Sequence, residues 1–240
     1  MSTAAAVKRC GPTISVLVAG LLSVTSCSSA VDGNPVSAPP AAPATTTTST
    51  AAPAPGADLQ AVVLPAEDIR RIMNDPTLVK VATWRHPGVG LSITFTPPQC
   101  AVVAATGMHA ALDGSGFTVM YSVNYISTAA PMVQASLGAA GFADSAAVQG
   151  FIAAQRAVWQ QCADIDMQLK IGDQTGAQHN GPLQANGNTL TMKFTLGPGS
   201  QCVHTLAAKN TVVIDNLVCS ADPSDASTAI LNGMVDKVPN

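Results

Sequence analysis

Two spacings of hydrophobic residues run through this chain. Between Ser145 and Cys162, Phe151, Ile152, Gln155, Val158, Trp159 and Cys162 recur at helical intervals, apolar except for Gln155. They define one buried helix face. Asp144 stands where an N-cap belongs, and Trp159 shares the apolar stripe, so it reads as core. A shorter helix opens at Leu64-Pro65-Ala66-Glu67-Asp68, where Pro suits a first turn and the acids suit the positive helix end, and closes near Asn74-Asp75-Pro76. An Ala-rich helix is expected from Cys100 to Leu112, followed by a turn at Asp113-Gly114-Ser115-Gly116. Alternation with a period of two marks strands at Phe117–Ile126, Thr189–Leu196, Gln201–Ala208 and Val212–Cys219. Leu91–Phe95, Met132–Leu137 and Leu169–Gly172 are further strand candidates. The polar, Gly- and Asn-rich stretch 174–187 reads as a surface excursion. A last helix begins after Asp222-Pro223 and buries Ile230, Met234, Val235 and Val238.

Upstream of these elements the pattern changes. Lys8 and Arg9 precede an apolar run from Ile14 to Val24, too short to span a bilayer and suited to a signal-peptide core. Val24-Thr25-Ser26-Cys27 then reads as a lipobox, with small residues before a cysteine whose sulfur takes the diacylglyceryl group. Residues 1–26 are therefore expected to be a lipoprotein signal peptide, and Cys27 the lipidated N-terminus. Residues 27–57 are Ala, Pro, Thr and Ser with almost no bulky side chain. Such a stretch does not bury enough apolar surface to offset its ordering entropy, and it reads as a disordered tether. Residues 58–240 form the folded domain. The expected address is the extracytoplasmic side of the cell membrane, reached through the lipid anchor.

Cys10 belongs to the leader. Cys100, Cys162, Cys202 and Cys219 remain, an even number in an exported domain, which suggests two disulfides. If Lys209 opposes Val212 across a two-residue turn, Cys202 falls opposite Cys219, close enough to bridge. A four-residue loop keeps that register and a three-residue loop breaks it. Cys100–Cys162 then follows by elimination.

The formal net charge is -3, and no basic stripe points to nucleic acid. No C-x-x-C, G-x-S-x-G or P-loop occurs. His86, His109, His179 and His204 show no helical pair spacing, so no metal site is expected, and no cofactor. Gly88-Val-Gly90 lacks the rest of a dinucleotide fingerprint. Ser115 reads as a turn residue and His204 as a strand side chain near a disulfide. Asp164 and Asp166 read as a solvated helix exit. Asp215, an acid inside an apolar strand, needs donors or a cation if buried; it either reaches a turn amide or lines a cleft.

Pro98-Gln99-Cys100-Ala101, Trp159-Gln160-Gln161-Cys162, Cys202, Asn210-Thr211-Val212-Val213-Ile214-Asp215 running to Cys219, and the closing Lys237-Val238-Pro239 together resemble the extracellular sensor domain of mycobacterial PknH-type serine/threonine kinases, a domain also found in secreted lipoproteins. The resemblance covers roughly residues 58–240. It implies an α+β fold: a twisted antiparallel sheet with helices packed on it, two intramolecular disulfides and a cleft for a ligand. The functional expectation is a membrane-anchored envelope lipoprotein with a sensor-like, ligand-binding domain and no catalysis. Its partner would be a small molecule, a glycan or a protein, with no ligand-binding residues assigned. The competing expectation is an envelope hydrolase or transferase, favoured if Asp164, Asp166, Asp215 or the histidines converge in one pocket; a structural spacer is a third.

Overall fold

The computed structural model describes residues 58–88, 93–107, 109–128, 133–197 and 199–240. The leader, Cys27 and the tether lie outside the described residues, as do Leu91, Ser92 and Met132 at the starts of two expected strands. The described elements are α1 (Leu59–Val62), α2 (Ala66–Met73), β1 (Leu78–Trp84), β2 (Ile93–Thr96), a 3-10 turn (Pro98–Cys100), α3 (Ala101–Ala104), α4 (His109–Leu112), β3 (Phe117–Ser127), β4 (Gln134–Phe142), α5 (Ser145–Gln161), β5 (Asp166–Ile171), β6 (Gln174–Asn186), β7 (Thr189–Leu196), β8 (Gln201–Lys209), β9 (Val212–Ser220) and α6 (Ser224–Lys237). The strands form one antiparallel sheet in the order β1-β3-β4-β9-β8-β7-β6-β5-β2. The fold is the expected α+β.

Period-two alternation splits the sheet's side chains between two cores. Tyr121, Val123, Leu137, Ile214 and Val218 pack with Leu59, Ile69, Ile230 and Met234 from α1, α2 and α6. On the opposite face, Met192, Leu206 and Val213 pack with Val102 and Val103 of α3 and with Phe151, Ile152 and Trp159 of α5. Asp144 caps α5 by accepting from the Ala147 N–H at 2.8 Å, and Asn74 ends α2 in the left-handed conformation.

Three elements depart from the sequence expectation. The Cys100–Leu112 helix is broken: α3 ends at Ala104, and Gly107 takes φ +63° before α4 begins. The polar stretch 174–187 is not a surface excursion but β6, 13 residues long. Its buried positions include Gln178 and Asn180, where apolar residues would have signalled a strand. β1 carries too little alternation to read, because it is an edge strand with a bulge between Lys80 and Ala82.

The hairpin register holds as expected. Lys209 opposes Val212 and Cys202 opposes Cys219, whose disulfide has a Cα–Cα distance of 4.1 Å. Cys100–Cys162 joins the start of α3 to the end of α5 across 62 residues. Closing that loop stabilises the fold by about 4 kcal/mol in the chain-entropy account, against about 3 kcal/mol for the hairpin. Denaturant unfolding should therefore show a larger loss for the Cys100→Ala/Cys162→Ala pair than for Cys202→Ala/Cys219→Ala. Non-reducing peptide mapping should recover 100–162 and 202–219; a 162–202 peptide would overturn the pairing.

Candidate functional site

The face of the sheet under α3 and α5 holds a cavity of about 700 Å³. Both sheet edges contribute to it. Val81, Ala82 and Trp84 come from β1 at one edge, Ile93 and Phe95 from β2 at the other, and Ser122, Asn124, Leu169, Gln178 and Leu217 from strands between. Edge strands eight places apart in order reach one cavity only if the sheet curls, so this face is concave. Residues 104–107, the last residue of α3 and the described chain that follows it, form the roof. The size is that of an ordinary small-molecule site, about 300–1,000 Å³.

The room comes from small residues. On β4 the positions facing this side include Ser136, Gly138 and Ala140, and the roof is Ala104-Ala105-Thr106-Gly107. A Cβ on Gly138 would come 3.3 Å from the Asp215 carbonyl oxygen, so β4 and β9 lie too close there to accept a side chain easily.

Behind the roof lies a buried His–Asp pair that the sequence did not announce as a pair. His204 on β8 places Nε2 2.7 Å from Asp215 Oδ1 on β9. Its other ring nitrogen, Nδ1, sits 2.9 Å from the Val103 carbonyl oxygen. A carbonyl only accepts, so Nδ1 carries a hydrogen, and one more proton lies between Nε2 and the carboxylate. Asp215 Oδ2 accepts from the Gly107 N–H at 2.8 Å. The His204 side chain is 1% exposed and its ring lies 4.8 Å, centroid to centroid, from Trp159. Two residues of the sheet thus grip both ends of the 103–107 segment. Asp215 does what the first of its two sequence readings required: it reaches a turn amide.

The remaining candidates do not converge. Asp166 meets His179 at 2.8 Å in an exposed pair on β5 and β6. Asp164, in the left-handed conformation, ends the α5 exit. Ser115 is a turn residue, its hydroxyl accepting from the Phe117 N–H at 3.4 Å. His86 is exposed, and the His109 side chain lies outside the described residues. Trp159 is core, as its stripe requires. No cluster of three metal-ligating side chains exists among the described residues. Cys219, assigned to a disulfide from sequence, also lines the cavity.

Fold and site together define an α+β domain whose single open, curled sheet wraps an apolar cleft. The profile of the family described as PknH-like extracellular domain matches residues 54–237, and the chain belongs to that family. The crystal structure of the extracellular domain of PknH from Mycobacterium tuberculosis superposes with a TM-score of 0.70 at 17% identity, over 75% of this chain and 93% of that one. At that identity the likeness speaks for the fold. An uncharacterized protein from Mycobacterium smegmatis gives a TM-score of 0.36 at 12% identity, over 77% of this chain and 98% of that one. No curated protein matches the chain. No helix among the described residues is long and apolar enough to cross a membrane.

Removing one member of a buried, hydrogen-bonded pair strands the other. Asp215→Ala should therefore cost about 3 kcal/mol of unfolding free energy, and it should speed amide exchange at Gly107. His204→Leu combined with Asp215→Leu should cost less than the two single changes added together. Unchanged Gly107 exchange in Asp215→Ala would contradict the clamp.

Proposed function

We propose that the chain is a lipid-anchored lipoprotein of the cell envelope, held to the membrane through Cys27, whose family domain binds a ligand in the cleft and performs no catalysis. The observation that carries this is the apolar cavity enclosed between both sheet edges and the 104–107 roof. A cavity of this size is a place where bound apolar surface leaves water, and each methylene buried contributes about 0.8 kcal/mol. The lipobox and the 27–57 tether support the address: an anchor at residue 27, then a polar spacer, then a disulfide-braced domain. The PknH likeness supports a sensing role, in which ligand capture is passed to another protein.

The hydrolase or transferase reading has one observation in its favour, the His204–Asp215 pair. It weighs less because both imidazole nitrogens are engaged and neither residue faces the cavity with a free lone pair or proton. General base catalysis needs a nitrogen within reach of the proton it removes.

The anchor is tested on the full chain expressed in a host that processes lipoproteins. The N-terminal peptide of the product should begin at an acylated Cys27, and Cys27→Ala should move the protein from the detergent phase to the aqueous phase. An unmodified N-terminus elsewhere would remove the anchor from the proposal and leave the cleft untouched.

A further inference from the structure

We infer that the cleft takes an uncharged amphiphile: a hydrocarbon chain bearing a non-ionised group that donates a hydrogen bond, a hydroxyl or an amide N–H. This rests on reading the cleft as a binding site and goes on to name the chemistry of its occupant.

Charge excludes the alternatives first. None of the described residues lining the cavity is ionisable. Asp215 faces this side of the sheet but is engaged by His204 and by the Gly107 N–H behind the roof, and Lys80, Arg85 and Lys170 face away. Lys80 pairs with Tyr125, on the sheet's other face, and the Arg85 guanidinium lies over Tyr121, also on that face, 5.1 Å from its ring centre. Lys170 sits between Leu169 and Ile171, both of which line the cavity, so alternation turns it outward. A phosphate or carboxylate placed here would lose its water with no counter-charge.

Buried polar side chains then specify the neutral group. Gln178, 2% exposed, lines the cavity. Its orientation is set by a relay that starts at a backbone carbonyl. Asn180 Nδ2 donates to the Cys162 oxygen at 2.8 Å, which leaves Asn180 Oδ1 to accept from Gln178 Nε2 at 2.6 Å. Gln178 Oε1 is therefore an acceptor, and it has no partner among the described residues. Ser122, also 2% exposed and lining the cavity, has a hydroxyl likewise without a partner there. Polar atoms of folded proteins are almost always paired with protein, water or a ligand; among the described residues the fully buried side-chain atoms without a partner are Gln155 Oε1, Trp159 Nε1 and Asn216 Oδ1, whereas these two are reached from the cavity. Thr106, Asn124, Gln134 and Ser136 also line the chamber, the last three joined to one another through the Ser136 hydroxyl. Gln178 Oε1 and the Ser122 hydroxyl are completed by a molecule that donates to one and meets the other.

The mouth identifies the rest of the ligand. Val79, Val81 and Ile171 are the exposed large hydrophobic residues among those described. Val81, at the β1 bulge, and Ile171, beside the opposite edge, both line the cavity. A chain leaving the chamber therefore passes apolar side chains on either side.

The test is quenching of tryptophan emission in the full chain by brominated stearoyl probes. Trp84 lines the cavity, and Trp159, the other tryptophan, is core and does not. Bromostearoyl glycerol should quench saturably, and Trp84→Phe should abolish the effect. The methyl ester of the same chain, which cannot donate, should bind about five- to tenfold more weakly, the worth of one hydrogen bond. The same chain ended in phosphate should bind at least tenfold more weakly. Gln178→Leu should bring the glycerol and methyl esters to equal affinity; if that variant misfolds, Ser122→Ala should weaken the glycerol ester severalfold. Equal binding of the phosphate-headed chain, or of the methyl ester by the unaltered protein, overturns the inference and leaves the cleft a binding site. Absence of quenching by every probe, with water alone filling the chamber, overturns the reading of the cleft itself.

Discussion

The cleft exists because one buried polar contact holds its roof to its floor. The described roof residues after Val103 include few large side chains, since Ala104, Ala105 and Gly107 bring almost no apolar surface. Packing alone would hold such a segment weakly. The His204–Asp215 pair replaces packing with direction. One ring nitrogen meets the Val103 carbonyl, one carboxylate oxygen meets the Gly107 amide, and the pair is internally joined. Both residues sit on adjacent central strands, the least deformable part of the sheet. Because every polar atom of the clamp is used, its burial is tolerated, and because it is used, no catalytic capacity is left over.

The two disulfides serve the same geometry from either side. Cys202–Cys219 fixes the register of the strands that carry His204 and Asp215. A slip of one residue between these strands would put the two side chains on opposite faces and lose the clamp entirely. Cys100–Cys162 fixes α3 against α5, and so fixes where Val103 presents its carbonyl. The sheet, the roof and the helix behind it are thus bound at three points, around a space filled by none of them.

Much of this was legible in the residues. Helix α5, its Asp144 cap, the β8–β9 hairpin and both cysteine pairs follow from periodicity, capping chemistry and register, which are local or nearly so. The His204–Asp215 pair was not legible as a pair, though the hairpin register contained its signal. Opposed positions two apart from the cysteine pair place His204 opposite Leu217, and Asp215 diagonal to it on the same face. An imidazole and a carboxylate that share a face across a ladder are within reach. The strand β6 was hidden for a different reason. Its inward positions, Gln178 and Asn180, are polar because they serve a hydrogen-bond relay rather than a core. Hydrophobic periodicity is blind to a strand whose buried face is satisfied by polar groups.

That blindness is itself informative. A buried glutamine costs stability unless its amide is paired, and an alanine or leucine at 178 would make β6 a more conventional strand. The relay from the Cys162 carbonyl through Asn180 satisfies the amide nitrogen and leaves the oxygen facing the chamber. The same holds for Ser122, whose position on β3 lies between the apolar Met120 and Asn124 on the same face, where an apolar residue would pack without a hydrogen-bond requirement. Gln178 and Ser122 are departures from the apolar pattern that fall at the wall of the cleft, whereas Gln155, Asn180, His204 and Asn216 are buried polar residues that do not line it. The polar interruptions of the sheet therefore divide in two: Asn180, His204 and Asp215 spend their polar atoms on holding the fold, and Gln178 and Ser122 present theirs to the cleft, which ties that second group to binding.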